Sequence, residues 1–184
     1  MNAIAFVLGG ARSGKSAFAQ RLALERGGEQ VLFVATLRET DAIQNDPEMQ
    51  RRLARHRAER PTHWHTVVLA DDLHVISAAL LEREARCVLL DCLSLYISGC
   101  LFMGETLPPD PEQAAADATK ALLNAIRATA CPWVIVSNEV GLSVAPDNAA
   151  GRAYRDALGR ANQIVAQAAD EVYLLVAGLP LRLK

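Results

Sequence analysis

The sequence predicts one α/β domain: a mostly parallel β-sheet with helices on both faces. Three observations carry this. Short apolar runs alternate with helix-length amphipathic segments along the chain, as in repeated strand–helix units. Several runs are apolar at every position, the pattern of parallel strands buried on both faces. The 184 residues contain no internal repeat, low-complexity tract or long linker, so one domain is expected.

The elements follow in order. Ala3 to Leu8 (AIAFVL) reads as the first strand, and a helical pattern runs from Lys15 to about Arg26. VLFVAT, Val31 to Thr36, is a second buried strand, and a highly charged helix is expected over Pro47 to Glu59. Trp64 to Ala70 reads as a third strand, with Asp71 and Asp72 capping an amphipathic helix to about Ala85. CVLLD, Cys87 to Asp91, is an apolar strand ending in an acid, followed by the segment LSLYIS. Gly104 to Asp110 is the clearest loop, and Pro111 opens a long helix at its first position. Trp133 to Glu139 is another strand, and a helix spans about Asn148 to Ala169. The C-terminal segment reads as a strand, a Gly-Leu-Pro turn and a short antiparallel edge strand.

Composition narrows the function classes. A hydrophobic content of 51% with only 5% aromatic residues suits an Ala/Leu/Val-rich α/β protein. The formal net charge of −2 supplies no basic field for nucleic acid. No apolar stretch approaches membrane-spanning length, and the N-terminal run lacks a charged lead and a cleavage site. Cys87, Cys92, Cys100 and Cys131 form no C-x-x-C pair. Reduced core thiols in a cytoplasmic protein are therefore expected, not a zinc site or disulfide framework.

GGARSGKS, Gly9 to Ser16, fits G-x-x-x-x-G-K-[ST] through Gly9, Gly14, Lys15 and Ser16, with Gly10, Ala11, Arg12 and Ser13 between them. A strand precedes it and a helix follows, the context that this phosphate-binding loop requires. Its glycines let backbone N–H groups turn towards phosphate oxygens, and the helix N-terminus adds partial positive charge. Lys15 can reach terminal phosphates, and the Ser16 hydroxyl can ligate Mg²⁺. A nucleoside triphosphate is the implied ligand. Asp91, at a strand end, suits a role on the same Mg²⁺, directly or through water; alternatively it caps the LSLYIS segment. Asn138 and Glu139 end another strand and either line the site or cap the loop.

A second informative region is QRRLARHRAERPTHWHT, Gln50 to Thr66. Arg51, Arg52, Arg55, Arg57 and Arg60 surround His56, and helical spacing puts Arg52, His56 and Arg60 on one face. A solvated, salt-bridged surface helix is one reading. The other is a nucleophilic His56 kept neutral by nearby cations, which would also offset charge on a nucleotide phosphate. His63 and His65 flank Trp64, where strand geometry would send them to one face; they read as structural or substrate-edge residues. His74 reads as a helix-surface or packed histidine.

These segments resemble the bifunctional adenosylcobinamide kinase/adenosylcobinamide-phosphate guanylyltransferase family of cobalamin biosynthesis. The resemblance is carried by GGARSGKS, VLFVAT, HRAERPTHW, VLLDCLS, VIVSNEVGLSVAP and the tail from GRANQ to LPLRLK. It implies phosphorylation of adenosylcobinamide by ATP or GTP, then GMP transfer from GTP to adenosylcobinamide phosphate through a GMP–histidine intermediate. The position matching that histidine is His56. Implied nucleotide contacts are Gly9 to Ser16, with catalytic Lys15 among them, then Ala35, Thr36, Leu37, Arg57, Ala58, Glu59, Arg60 and Asp91, with Mg²⁺ at Ser16 and Asp91. A RecA-like fold and a homotrimer are implied as well. Two positions depart from the family pattern: Val68 stands where relatives often carry glutamate, and Asp91 where some carry glutamate. Rival functions are a P-loop small-molecule kinase without a covalent step and a nucleotide-dependent switch module.

Overall fold

The computed structural model describes residues 3–37, 46–69, 73–102, 104 and 106–184. Strands and helices alternate through most of it: β1 (Ile4–Gly9), α1 (Lys15–Gly27), β2 (Val31–Ala35), α2 (Pro47–Ala58), β3 (His65–Val68), α3 (His74–Arg83) and β4 (Cys87–Asp91). There follow α4 (Leu93–Phe102), α5 (Pro111–Arg127), β5 (Trp133–Asn138), α6 (Ala149–Ala168), β6 (Glu171–Val176) and β7 (Leu179–Arg182). The proposed caps Asp71 and Asp72, Ala70 of the expected third strand, and the Arg52 side chain lie outside the described residues.

The strands form one sheet in the order β3-β2-β4-β5-β1-β6-β7, parallel except for β7, which runs antiparallel to β6. Strand periodicity divides the core. Ile4, Phe6 and Leu8 of β1 face a cluster with Leu93 and Ile97 of α4, Leu122 of α5 and Leu158 of α6. Ala5 and Val7 face the other way, towards Ala19 and Ala23 of α1 and Phe33 of β2. Helices therefore cover both faces, as expected. The strand carrying the glycine loop is separated from the Asp91 strand by β5, the RecA-like arrangement, and the C-terminal ends of all three open on one edge.

Local chemistry sets the element ends. Asp110 caps α5 through its side chain on the Gln113 N–H, with Pro111 at the first turn. Asn148 caps α6 in the same way on the Gly151 N–H at 2.7 Å. The expected Gly-Leu-Pro turn is instead a two-residue hairpin at Ala177 and Gly178, with φ of 51° and 83°. Such a turn needs positive φ at both residues, which proline cannot adopt. Pro180 instead lies within the edge strand β7. His63 precedes β3 in a turn, so strand geometry does not pair it with His65; both are exposed. His74 is exposed at the start of α3.

None of the four cysteines forms a disulfide. Burial pushes the Cys87 thiol up to about 12 and the Cys92 thiol up to about 11, which keeps them protonated. The expectation of core thiols holds for these two; Cys131 is half-buried, and Cys100, in α4, is exposed. Among the described residues, no helix is long and apolar enough to cross a membrane.

Candidate active site

The phosphate loop begins where β1 ends beside β5, with Gly9 in register with Asn138. Gly9 is hemmed in: a Cβ there would collide with Ser13 Oγ and lie 3.0 Å from the Leu175 carbonyl oxygen. Ser13 N–H donates to the Gly10 carbonyl at 3.3 Å, closing the turn. Gly14 caps α1 in the left-handed region, with φ of 90°. The β6–β7 hairpin braces the loop through Gly178 N–H, which donates to the Ser13 carbonyl at 2.9 Å. Lys15 Nζ donates to the Gly10 carbonyl at 3.1 Å, so the ammonium lies across the loop.

A cavity of about 570 Å³ opens beside the loop. Lys15 and Ser16 form its floor, and Asp91 and Asn138 enter from the ends of β4 and β5. His56 and Arg57, from the last turn of α2, and Arg60 just beyond it make a basic wall. Leu37, Leu53, Val68 and Leu95 add apolar side chains to the lining, Leu53 from the same helix as His56. The cavity thus offers cationic groups to phosphate and apolar surface to an apolar or aromatic group.

His56 Nε2 lies 3.3 Å from Asp91 Oδ2. Oδ2 is buried and no donor meets it with full hydrogen-bond geometry; the contact becomes an ion pair when the ring is protonated. Arg60 stacks over Phe33, its guanidinium carbon 3.7 Å from the ring centroid, and Nη1 donates to Thr66 Oγ1 at 3.1 Å. These neighbours correct the expected electrostatics of His56. Contact with the Asp91 carboxylate raises its pKa, outweighing desolvation and the opposing charge of Arg60. The nearest charge decides: the Asp91 carboxylate shifts the ring towards its protonated form, the opposite of the shift expected from the arginines. Arg60 itself is shifted down, chiefly by burial.

The sequence-derived residues divide into three groups. Lys15, Ser16, Ala35, Leu37, His56, Arg57, Arg60 and Asp91 meet in the cavity. Gly9, Gly10, Ala11, Arg12, Ser13 and Gly14 shape the loop behind its floor. Thr36, Ala58 and Glu59 do not line the wall. The Thr36 side chain is buried, and its hydroxyl donates to the Cys92 carbonyl at 2.7 Å and accepts from the Cys92 N–H at 2.9 Å. It ties β2 to the peptide that follows Asp91. Ala58 and Glu59 are exposed, because a helix that aims His56 and Arg57 inwards turns its next residues away. Leu53, Thr66, Cys92 and Leu95 were not singled out from sequence. Leu53 was findable, being one helical turn before His56; the others reach the cavity only through tertiary packing.

The site suits a divalent cation shared with phosphates. Asp91 Oδ2 is a buried oxygen without a hydrogen bond, and Ser16 lines the same cavity. Among the described residues no group of three or more His, Cys, Asp or Glu side chains could hold a metal alone, so phosphates and water would complete the shell.

The family described as cobinamide kinase / cobinamide phosphate guanyltransferase matches residues 5–183. The chain belongs to this family. It is 41% identical over 179 residues to the bifunctional adenosylcobalamin biosynthesis protein CobP of Pseudomonas aeruginosa, covering 97% of this chain and 95% of that one. It is 38% identical over 188 residues to the corresponding CobU protein of Salmonella typhimurium, covering 97% and 98%. Among solved structures, a KaiC-like protein of Pyrococcus horikoshii aligns with 94% of this chain and 70% of its own, with 17% identity and a TM-score of 0.48. The chain is thus a transferase of the cobinamide kinase and guanyltransferase family, and the switch-module reading falls away.

Proposed function

We propose that this protein phosphorylates the aminopropanol hydroxyl of adenosylcobinamide with ATP or GTP. It then transfers GMP from GTP to the new phosphate, through a covalent GMP–His56 intermediate, giving adenosyl-GDP-cobinamide and pyrophosphate. The observation that carries this is the position of His56. A plain kinase needs only the phosphate loop, whereas here an imidazole shares the cavity with Lys15, Ser16 and Asp91. In the guanylyl step, the neutral ring of His56 attacks the α-phosphorus and pyrophosphate leaves, held by Lys15 and the loop amides. An oxygen of cobinamide phosphate then displaces GMP from the histidine. Arg57 and Arg60 balance charge on the phosphates. In the kinase step the loop positions the γ-phosphoryl group for attack by the substrate hydroxyl. Ser16 and Asp91 would hold Mg²⁺, which would offset triphosphate charge. A cytoplasmic homotrimer is part of the same proposal.

The test is labelling with α-³²P-GTP. The wild-type protein should retain acid-labile, alkali-stable label, chemically a phosphoramidate, and His56→Ala should retain none while still phosphorylating cobinamide. Wild-type protein that phosphorylates cobinamide yet never becomes labelled would leave the simple kinase.

A further inference from the structure

Polar side chains from three elements form a hydrogen-bonded network around Asn138 at the cavity edge. Asn138 ends β5, between the loop strand and the Asp91 strand, and its side chain lines the cavity. Its Nδ2 donates to Ser94 Oγ at 3.0 Å, and Ser94 Oγ lies 2.8 Å from Cys92 Sγ. The Asn138 main-chain carbonyl accepts from Asn162 Nδ2 at 3.1 Å, while Asn162 Oδ1 accepts from the Ser137 hydroxyl at 2.7 Å. Tyr154 O–H, from α6, donates to the Ser94 carbonyl at 3.0 Å. Ser94, Ser137 and Asn162 are all buried. A polar network placed so deep is costly unless satisfied, and a satisfied one holds its members rigidly. The network holds the Asn138 main chain through Asn162, and Ser94 anchors the side-chain amide. Its nitrogen is committed to Ser94, and its oxygen makes no hydrogen bond among the described residues, leaving an acceptor at the cavity.

We propose that Asn138 Oδ1 accepts a hydrogen bond from the attacking hydroxyl of the alcohol substrate in the kinase step, with Ser94 as the residue that positions the amide. The chemistry selects this partner. Phosphate oxygens are acceptors and cannot bond to a carbonyl oxygen, whereas a hydroxyl supplies a proton and keeps lone pairs for attack. In that step the hydroxyl oxygen bonds to the γ-phosphorus. The bond from phosphorus to the β,γ-bridging oxygen breaks, its electron pair staying on the nucleoside diphosphate. The hydroxyl proton passes to an oxygen of the transferred phosphoryl group and then to water; Asn138 orients and does not keep it. In the guanylyl step the attacking group is a phosphate oxygen, so the amide has no such partner. Its contribution therefore belongs to one of the two reactions.

This inference rests on the proposed function, and the experiment separates the two. Phosphorylation of cobinamide by ATP and GMP transfer to pre-formed cobinamide phosphate are measured separately for wild type, Asn138→Leu and Ser94→Ala. Asn138→Leu should lower the ratio of kinase to guanylyl kcat by on the order of 10- to 100-fold, the cost of a mispositioned nucleophile. Ser94→Ala should lower the same ratio less, through kinase kcat, with KM for ATP little changed. Equal losses in both reactions, which a folding or phosphate-loop role would give, would overturn the inference, as would an unchanged ratio in Asn138→Leu. Wild-type kinase kcat in Ser94→Ala would remove Ser94 from it. A wild-type protein inactive on cobinamide would instead sink the proposed function itself.

Discussion

Gly14 is constrained in two independent ways. Its φ of 90° lies where a side chain is strained, and a Cβ would sit 3.1 Å from Gly178 Cα in the hairpin behind the loop. Gly14→Ala therefore pays both the left-handed backbone penalty, about 1–2 kcal/mol, and a displacement of that hairpin. GTP affinity measured by calorimetry should fall at least ~10-fold, and both reactions should fall with it, because both use the loop. Affinity within a factor of two of wild type would show that the loop tolerates the shift. This residue was legible in the sequence because its role is local: the spacing of Gly9, Gly14, Lys15 and Ser16 contains the whole motif. The electrostatic balance at His56 was not. Its arginines are neighbours along the chain, but the carboxylate that dominates it arrives from β4 by tertiary folding. The inward turn of the Thr36 side chain was hidden for a similar reason, since its partner, the Cys92 peptide, lies on another part of the sheet edge.

At the level of elements, α6 shows which helix determinants a sequence declares. Asn148 stands just before an apolar-periodic run and caps it through its side chain, the residue type and place a helix start favours. The other end of α6 is held from outside the helix. Lys184 Nζ donates to the carbonyls of Ala166, Gln167 and Ala169, the last at 2.5 Å, giving the helix C-terminus both partners and positive charge. Nothing local announces this, because the lysine reaches it only after β6 and β7 have formed. Asn148→Ala should cost about 1 kcal/mol, a fall of roughly 2–4 °C in Tm for a domain of this size. Asn148→Asp should recover most of it, because a carboxylate accepts the same N–H and suits the helix N-terminus. Calorimetric melts of the three proteins decide this: equal Tm values for Asn148→Ala and wild type would mean that the cap is not limiting. The same contrast runs through the sheet. β1, β4 and β5 are apolar and almost wholly buried, so each was legible as a strand, whereas β3 is largely exposed and its ends were overdrawn.

Across the whole molecule, the apolar surface is distributed unevenly. The C-terminal hairpin exposes Val176, Leu179, Leu181 and Leu183, with Leu179 at 73%. β7 is also the edge of the sheet, so among the described residues no strand lies beside its outer backbone groups. An apolar, unpaired edge is a surface that stable proteins cover, commonly with another chain. Within the proposed homotrimer, this hairpin is the natural contact, and it reaches the active site through the Gly178–Ser13 bond to the phosphate loop. Light scattering on the wild-type protein should therefore give three times the chain mass of 19.9 kDa. Replacing Leu179 and Leu181 together by lysine, a residue that blunts edge strands, should shift the mass towards one chain without loss of far-UV circular dichroism. GTP affinity should weaken in parallel if the contact steadies the loop. A trimer that persists in the double variant would move the interface elsewhere, and a monomeric wild type would end the trimer proposal.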